Sequence, residues 1–310
     1  MGGAVSEAMS GSAVLLCGHG SRDGAAIREF EEAAAGLRAR LDGRLFETGY
    51  LEFARPTIGE ALSALKSRGA SRILAIPGML FAASHVKNDL PWEVNSFAAA
   101  HPEIDVRLGR DLAIDPLLLA AAAERIAAAV PVDRSETLLV VVGRGTNDPD
   151  ANSNIAKVAR MLWEGMGFGW AEAAFSGVAQ PRVGPALERA ARLGFRRIVV
   201  FPYFLFTGIL VQRIYDETEA VAARFPQIEF VKAPYLNGHG KVIDAFLDRI
   251  AECEDGEARM NCQLCKYRTQ FVGYEDAVGT PQQGHHHHVR GGEHQHQHAH
   301  GHGHHHHEHD

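Results

Sequence analysis

The chain has 310 residues, 46% hydrophobic and 22% charged, which suffices for one large or two ordinary domains and excludes a wholly disordered, collagenous or membrane-spanning polypeptide. A formal charge of −7 speaks against coating nucleic acid or an anionic membrane through bulk charge. Histidine is the anomaly: 14 of the 18 fall within residues 285–310, leaving His19, His85, His101 and His239 in the rest of the chain.

The first twelve residues lack the basic start and apolar run of a signal peptide, and the longest apolar runs are strand-sized or broken by charge. Strands are expected near 13–18, 46–53, 72–78 and 104–108, alternating with helices near 23–41, 57–68, 86–100 and 115–129. Segment 132–136 reads as a linker, after which strands recur near 137–143, 170–178, 196–202 and 227–231. Runs such as "AVLLCG", "TLLVVVG" and "RIVVFP" are continuously apolar, as strands covered on both faces must be. Alternation of such strands with amphipathic stretches predicts βαβ units and parallel sheets.

The chain also repeats itself. Gly18-His19-Gly20-Ser21-Arg22-Asp23 has a counterpart 125 positions later in Gly143-Arg144-Gly145-Thr146-Asn147-Asp148. The same offset carries Pro56 to Pro181 and "GASRILAIPGMLF" onto "GFRRIVVFPYFLF". The expected fold is therefore α/β, with two similar doubly wound parallel-sheet domains made by internal duplication: 1–131, 137–252, and a tail, 253–310. The histidine-rich end, from Gly284 on, has no apolar residue beyond Val289 and Ala299 and is expected to be disordered without metal. Ligands of doubly wound domains lie beyond the carboxyl ends of the strands.

His19 follows the first strand between two glycines, and His85 follows the third strand, so both reach that edge of the same half. A single loop histidine is more often a satisfied hydrogen-bonding group than a ligand; two on one edge shift the balance. Their counterparts are Arg144 and Leu210, so the duplicate keeps the scaffold and loses both imidazoles. Two neutral imidazoles make an open, exchangeable site for Co²⁺, Ni²⁺, Fe²⁺ or Zn²⁺, and they also suit acid–base work. Glu52, replaced by Gly177 in the second half, reaches the same edge as a proton acceptor or as a solvated charge. Asp89, four residues after His85, either orients that imidazole or caps or solvates the helix. "GHGSRDG" lacks dinucleotide spacing, and no P-loop is present, so no nucleotide is expected.

"LLCGHGSRD", "YLEFARPTI" and "IPGMLFAASHVKNDLPWEV" resemble the class II chelatases that act on sirohydrochlorin, in particular the long CbiX-type cobaltochelatases, over about residues 13–251. One departure is Ala83, where that family often has glycine. The resemblance implies a cleft between two similar α/β domains in which His19 and His85 hold the incoming divalent metal, Co²⁺ first, with Fe²⁺ and Ni²⁺ as alternatives. It implies a polyanionic tetrapyrrole substrate, and metal insertion then gives His19, His85 and Glu52 catalytic roles, one of the histidines or Glu52 receiving the pyrrole protons. Such a substrate calls for a local basic rim, for which Arg22, Arg55, Lys87, Arg144, Arg182 and Arg213 are the candidates. No nucleic acid or membrane partner is expected. Fused halves let a monomer form its own cleft, although a homodimer remains open.

Four cysteines, Cys17, Cys253, Cys262 and Cys265, are too few for a disulfide scaffold and suit a reducing cytoplasm. Cys17 reads as a core residue. Cys262-x₂-Cys265, with Cys253 as a third thiolate, resembles the motif associated in some long CbiX-type chelatases with an iron–sulfur centre, implying a [4Fe–4S] cluster. A reduced thiol pair is the simpler reading. The histidine tail gathers divalent metals whatever the core does, which keeps a metal-storage or metallochaperone protein as the second functional class. A histidine phosphatase built on His19 ranks last, because it would need arginine where Gly18 stands.

Overall fold

The structure is a computed structural model and describes residues 12–130, 133–256, 275–277 and 280. The first half forms a four-stranded parallel sheet from β1 (Ala13–Gly18), β2 (Phe46–Tyr50), β3 (Arg72–Pro77) and β4 (Asp105–Leu108), in the order β2-β1-β3-β4. The second half repeats it with β5 (Thr137–Gly143), β6 (Trp170–Phe175), β7 (Arg197–Pro202) and β8 (Glu229–Lys232), in the order β6-β5-β7-β8. Between the strands run α1 (Gly24–Arg38), α2 (Ile58–Ser67), α3 (Leu90–Ala100), α4 (Pro116–Ala129), α5 (Pro149–Met166), α6 (Val183–Ala190), α7 (Ile209–Ala222) and α8 (Gly240–Asp255).

The apolar strands are covered on both faces. In β1 and β3, Val14, Leu16, Leu74 and Ile76 enter one core, whereas Leu15, Cys17, Ile73 and Ala75 enter another with residues of α2 and α3. In β5 and β7, Leu139, Val141, Val199 and Phe201 join the first core, and Leu138, Val140, Ile198 and Val200 form a third with α6 and α7. Each fully buried side chain of this kind contributes roughly 1.5–3 kcal/mol. The two sheets thus share a central core. Cys17 is wholly buried, and burial pushes its thiol pKa well up, so it packs rather than reacts.

Helix α8 is the last helix of the second half in sequence but packs on the first. It lies against β3, α1 and α4. Arg110 makes a two-point bond to Glu252 at 2.9 and 2.8 Å, Arg44 reaches Glu254 at 3.0 Å, and Arg107 donates to the Glu254 carbonyl at 2.6 Å.

The duplication is visible in the loops. Cis peptides precede both Pro56 and Pro181. The Leu51 N–H donates to the Gly18 carbonyl, and the Ser176 N–H donates to that of Gly143. Gly20 and Gly145 have φ of +89° and +82°, and a Cβ there would stand 1.7 Å from the Glu52 carbonyl oxygen and 2.2 Å from that of Gly177. Only glycine fits such a crossing. These turns end β2 and β6 sooner than the sequence pattern predicts, because Phe53 and Val178, at φ 61° and 38°, leave the extended conformation.

A second difference concerns the helix expected over 86–100. It opens with a π-turn over His85–Asp89, in which the Leu90 N–H bonds the His85 carbonyl, before α3 begins. Pro91 explains the widening: it has no N–H, and its ring would clash with the carbonyl four residues back in a regular helix.

Candidate active site

The loops after β1 and β3 carry His19 and His85 to one point. Their rings meet edge to face with centroids 4.5 Å apart. His19 Nδ1 lies 2.9 Å from the Gly20 carbonyl oxygen, a bond it makes as donor, which leaves Nε2 with its lone pair. That Nε2 is buried without a hydrogen-bond partner among the described residues. Burial holds the His19 imidazole below its ordinary pKa; His85 and Arg144 push the same way, against the Gly20 carbonyl and Glu52. The ring is therefore a neutral donor at neutral pH. His85 Nδ1 lies 2.7 Å from Asp89 Oδ2, and the Asn88 amide donates to Asp89 Oδ1 at 2.7 Å. Asp89, 5% exposed at its side chain, fixes the tautomer that turns His85 Nε2 outward from this bond.

Both histidines line a cavity of about 690 Å³ that takes walls from both halves. The volume suits a sizeable organic ligand. The duplicated positions face the same space, since Arg144 and Leu210, the counterparts of His19 and His85, also line it. Aromatic rings make much of the wall. Phe81 stacks on Tyr203 at 5.8 Å, and Phe30 meets Phe206 at 5.5 Å, each pair crossing between halves. Phe53 stands 6.4 Å from His19, with the Arg22 guanidinium 4.8 Å above its ring. The Phe81–Phe206 match lay in the repeat; the role of Phe53 had no signal in composition or spacing.

Glu52 is 5% exposed, and its backbone N–H bonds the His19 carbonyl at 2.9 Å. Arg144 lies within electrostatic range of both Glu52 and His19. Of the six basic residues expected to form a rim, the structure brings Arg22 and Arg144 to the cavity. Arg55 is held by Glu60 at 2.9 Å, while Arg182 and Arg213 both donate to the Ser176 carbonyl, at 2.9 and 3.3 Å, outside the lining.

Lys87 requires a correction, since it is not on a rim at all. It is 2% exposed, and its ammonium lies between Asp148 at 2.8 Å and Asp150 at 2.9 Å, both from the second half.

Cys253 is fully buried on α8 in the central core, where a Cβ on Gly109 would stand 3.6 Å from its own Cβ. Cys262 and Cys265, expected to share a cluster with it, lie, like the histidine tail, outside the described residues. Among the described residues no group of three or more His, Cys, Asp and Glu side chains converges to hold a metal, and no helix is long and apolar enough to cross a membrane.

Known proteins resemble this chain in sequence and fold. The chain is 34% identical to a sirohydrochlorin cobaltochelatase of Priestia megaterium over 268 residues, covering 85% of this chain and 87% of that one. It is 31% identical to a sirohydrochlorin ferrochelatase of the same organism, covering 73% and 85% respectively. The structure of SirB from Bacillus subtilis with Fe³⁺ superposes with a TM-score of 0.72 at 28% identity, covering 81% of this chain and 99% of that one. The CbiX family model matches twice, over residues 13–129 and 138–253, and the chain belongs to the CbiX family.

Proposed function

We propose that the cleft inserts a divalent metal, Co²⁺ first, into sirohydrochlorin. The observation that carries this reading is the pair of imidazoles, one with a buried, unpartnered Nε2, on the wall of a cavity of about 690 Å³. Two neutral nitrogen donors hold a metal without closing its coordination, so that it can pass to a stronger four-nitrogen ligand. The aromatic and aliphatic walls contributed by both halves hold the macrocycle bent over the histidine pair, with its nitrogen lone pairs exposed.

The balance of the step is simple. One M²⁺ enters, two pyrrole N–H bonds break, and two protons leave. His19 and His85 present the metal, and Glu52, beside the His19 backbone, receives protons. Arg22 and Arg144 offer guanidinium forks to substrate carboxylates, as their place in the lining supports. The step needs neither a nucleotide nor a redox partner. Because one chain supplies both walls, a monomer in the cytoplasm suffices. A cluster carried by this chain would rest on Cys262 and Cys265, with Cys253 as a third thiolate and a fourth ligand from elsewhere. The likeness to a ferrochelatase favours Fe²⁺ as the second metal.

The test is an anaerobic assay with purified protein, sirohydrochlorin and Co²⁺, following the visible spectrum as metal enters. The wild-type chain should accelerate insertion, and His19→Ala or His85→Ala should remove most of the acceleration. Wild-type rates in both variants would overturn the reading and move metal storage ahead.

A further inference from the structure

We propose that Lys87 is a positioning residue, which sets where His85 stands in the cleft by pinning the π-turn to the start of α5 in the other half. This rests on the reading of His85 as a metal donor. Three observations carry it.

Lys87 lies on the same turn as His85, two residues on. The Ala83 carbonyl accepts from both the Val86 and the Lys87 N–H groups, at 3.0 and 2.8 Å, so the turn is a single hydrogen-bonded unit. Moving Lys87 moves His85.

The ammonium is buried at 2% exposure and held by two carboxylates from the second half. A buried charge is tolerated only when paired, and a two-carboxylate grip fixes position more tightly than a single surface pair. Asp148 is itself anchored, because its Oδ1 caps α5 through the Asp150 N–H at 3.0 Å. It also ends the loop that begins at Arg144. The clamp therefore ties the His85 segment to the loop carrying the duplicate's counterpart of His19.

The clamp is not what joins the halves. Helix α8 and the shared core do that, and on another side of the cleft Glu29 of α1 accepts from the Thr207 N–H at 2.6 Å and from the Tyr235 hydroxyl at 2.7 Å. Loss of Lys87 should thus disturb the π-turn locally and leave the cleft assembled.

The experiment compares full-length wild type, Lys87→Met, Lys87→Arg, Asp150→Asn and His85→Ala in the anaerobic cobalt-insertion assay, varying each substrate in turn. Lys87→Met should lower kcat/KM for Co²⁺ about tenfold or more with the KM for sirohydrochlorin unchanged within twofold, since small misplacements of a reacting group are costly. Lys87→Arg should recover most of that loss. Asp150→Asn removes the more exposed half of the grip and should show a smaller loss of the same kind, which decides the matter if Lys87→Met fails to fold. Unchanged cobalt kinetics in Lys87→Met, or in Asp150→Asn where it must stand in, overturn the proposal, as does a loss appearing equally in the macrocycle KM. A His85→Ala variant with wild-type activity would instead overturn the underlying reading of the cleft.

Discussion

His19 and His85 stand edge to face at 4.5 Å, each with its Nδ1 engaged, one by the Gly20 carbonyl and the other by Asp89. On the proposed reading the two Nε2 atoms are the donors of one site. Groups that act as a unit give non-additive losses. His19→Ala and His85→Ala should each reduce kcat/KM for the metal on the order of 100-fold, comparable to a misplaced reacting group. The double variant should be little worse than either single one. Anaerobic insertion kinetics with the four proteins check this, and losses that multiply would mean two independent roles.

Asp89 bonds the imidazole of His85. Asp89→Asn keeps the shape and removes the charge that orients Nδ1–H and strengthens Nε2 as a donor. An outer partner of this kind is worth about 10–100-fold in metal affinity or activity. We expect the KM for Co²⁺ to rise by about tenfold, with the melting temperature little changed. A variant indistinguishable from wild type in metal kinetics would show that the π-turn alone orients the ring.

The edge on which these residues meet was legible in the sequence because burial of a strand on both faces leaves a continuous apolar run, as in "TLLVVVG", and because loops after such strands share one side of a parallel sheet. The constant offset that pairs Gly20 with Gly145 announced two copies of one turn. Lys87 was misread because its burial depends on Asp148 and Asp150, which approach only when the halves pack; nothing local distinguishes it from Arg22, which does reach the cavity. The π-turn was hidden as well. Pro91 signals an interrupted ladder, but its response, widening rather than ending the helix, is settled by what packs around it.

Arg22 and Arg144 should report on the macrocycle, not the metal. Arg22→Gln and Arg144→Gln each delete a charge at the lining. Ion pairs open to solvent are worth up to about 1 kcal/mol, so each change should raise the KM for sirohydrochlorin by about fivefold and leave that for Co²⁺ unchanged. The effect should shrink as salt rises, because screening weakens the pairs that were lost. Substrate titrations at two ionic strengths test this. An unaltered KM at low salt would move carboxylate recognition elsewhere on the cleft.

Asp111 supports the segment between β3 and the π-turn by accepting the Ala82 N–H at 2.8 Å. Burial pushes its pKa from 3.8 up to about 6, against the pull of the Ala82 N–H, Arg110 and Lys87. For a carboxyl raised on folding, the native state holds the proton more tightly than the unfolded chain. The associated stability is therefore complete below pH 3.8 and is lost as pH rises through 6. At pH 7.5 the ionised group is a burden on the fold. Asp111→Asn keeps an oxygen for the Ala82 N–H and cannot ionise, so it should stabilise the protein at pH 7.5 by about 1–3 kcal/mol. At pH 4 the two proteins should melt together. Melting curves of both at pH 4, 5.5 and 7.5 test the sign, and a variant less stable at pH 7.5 would mean that the Asp111 charge supports the loop.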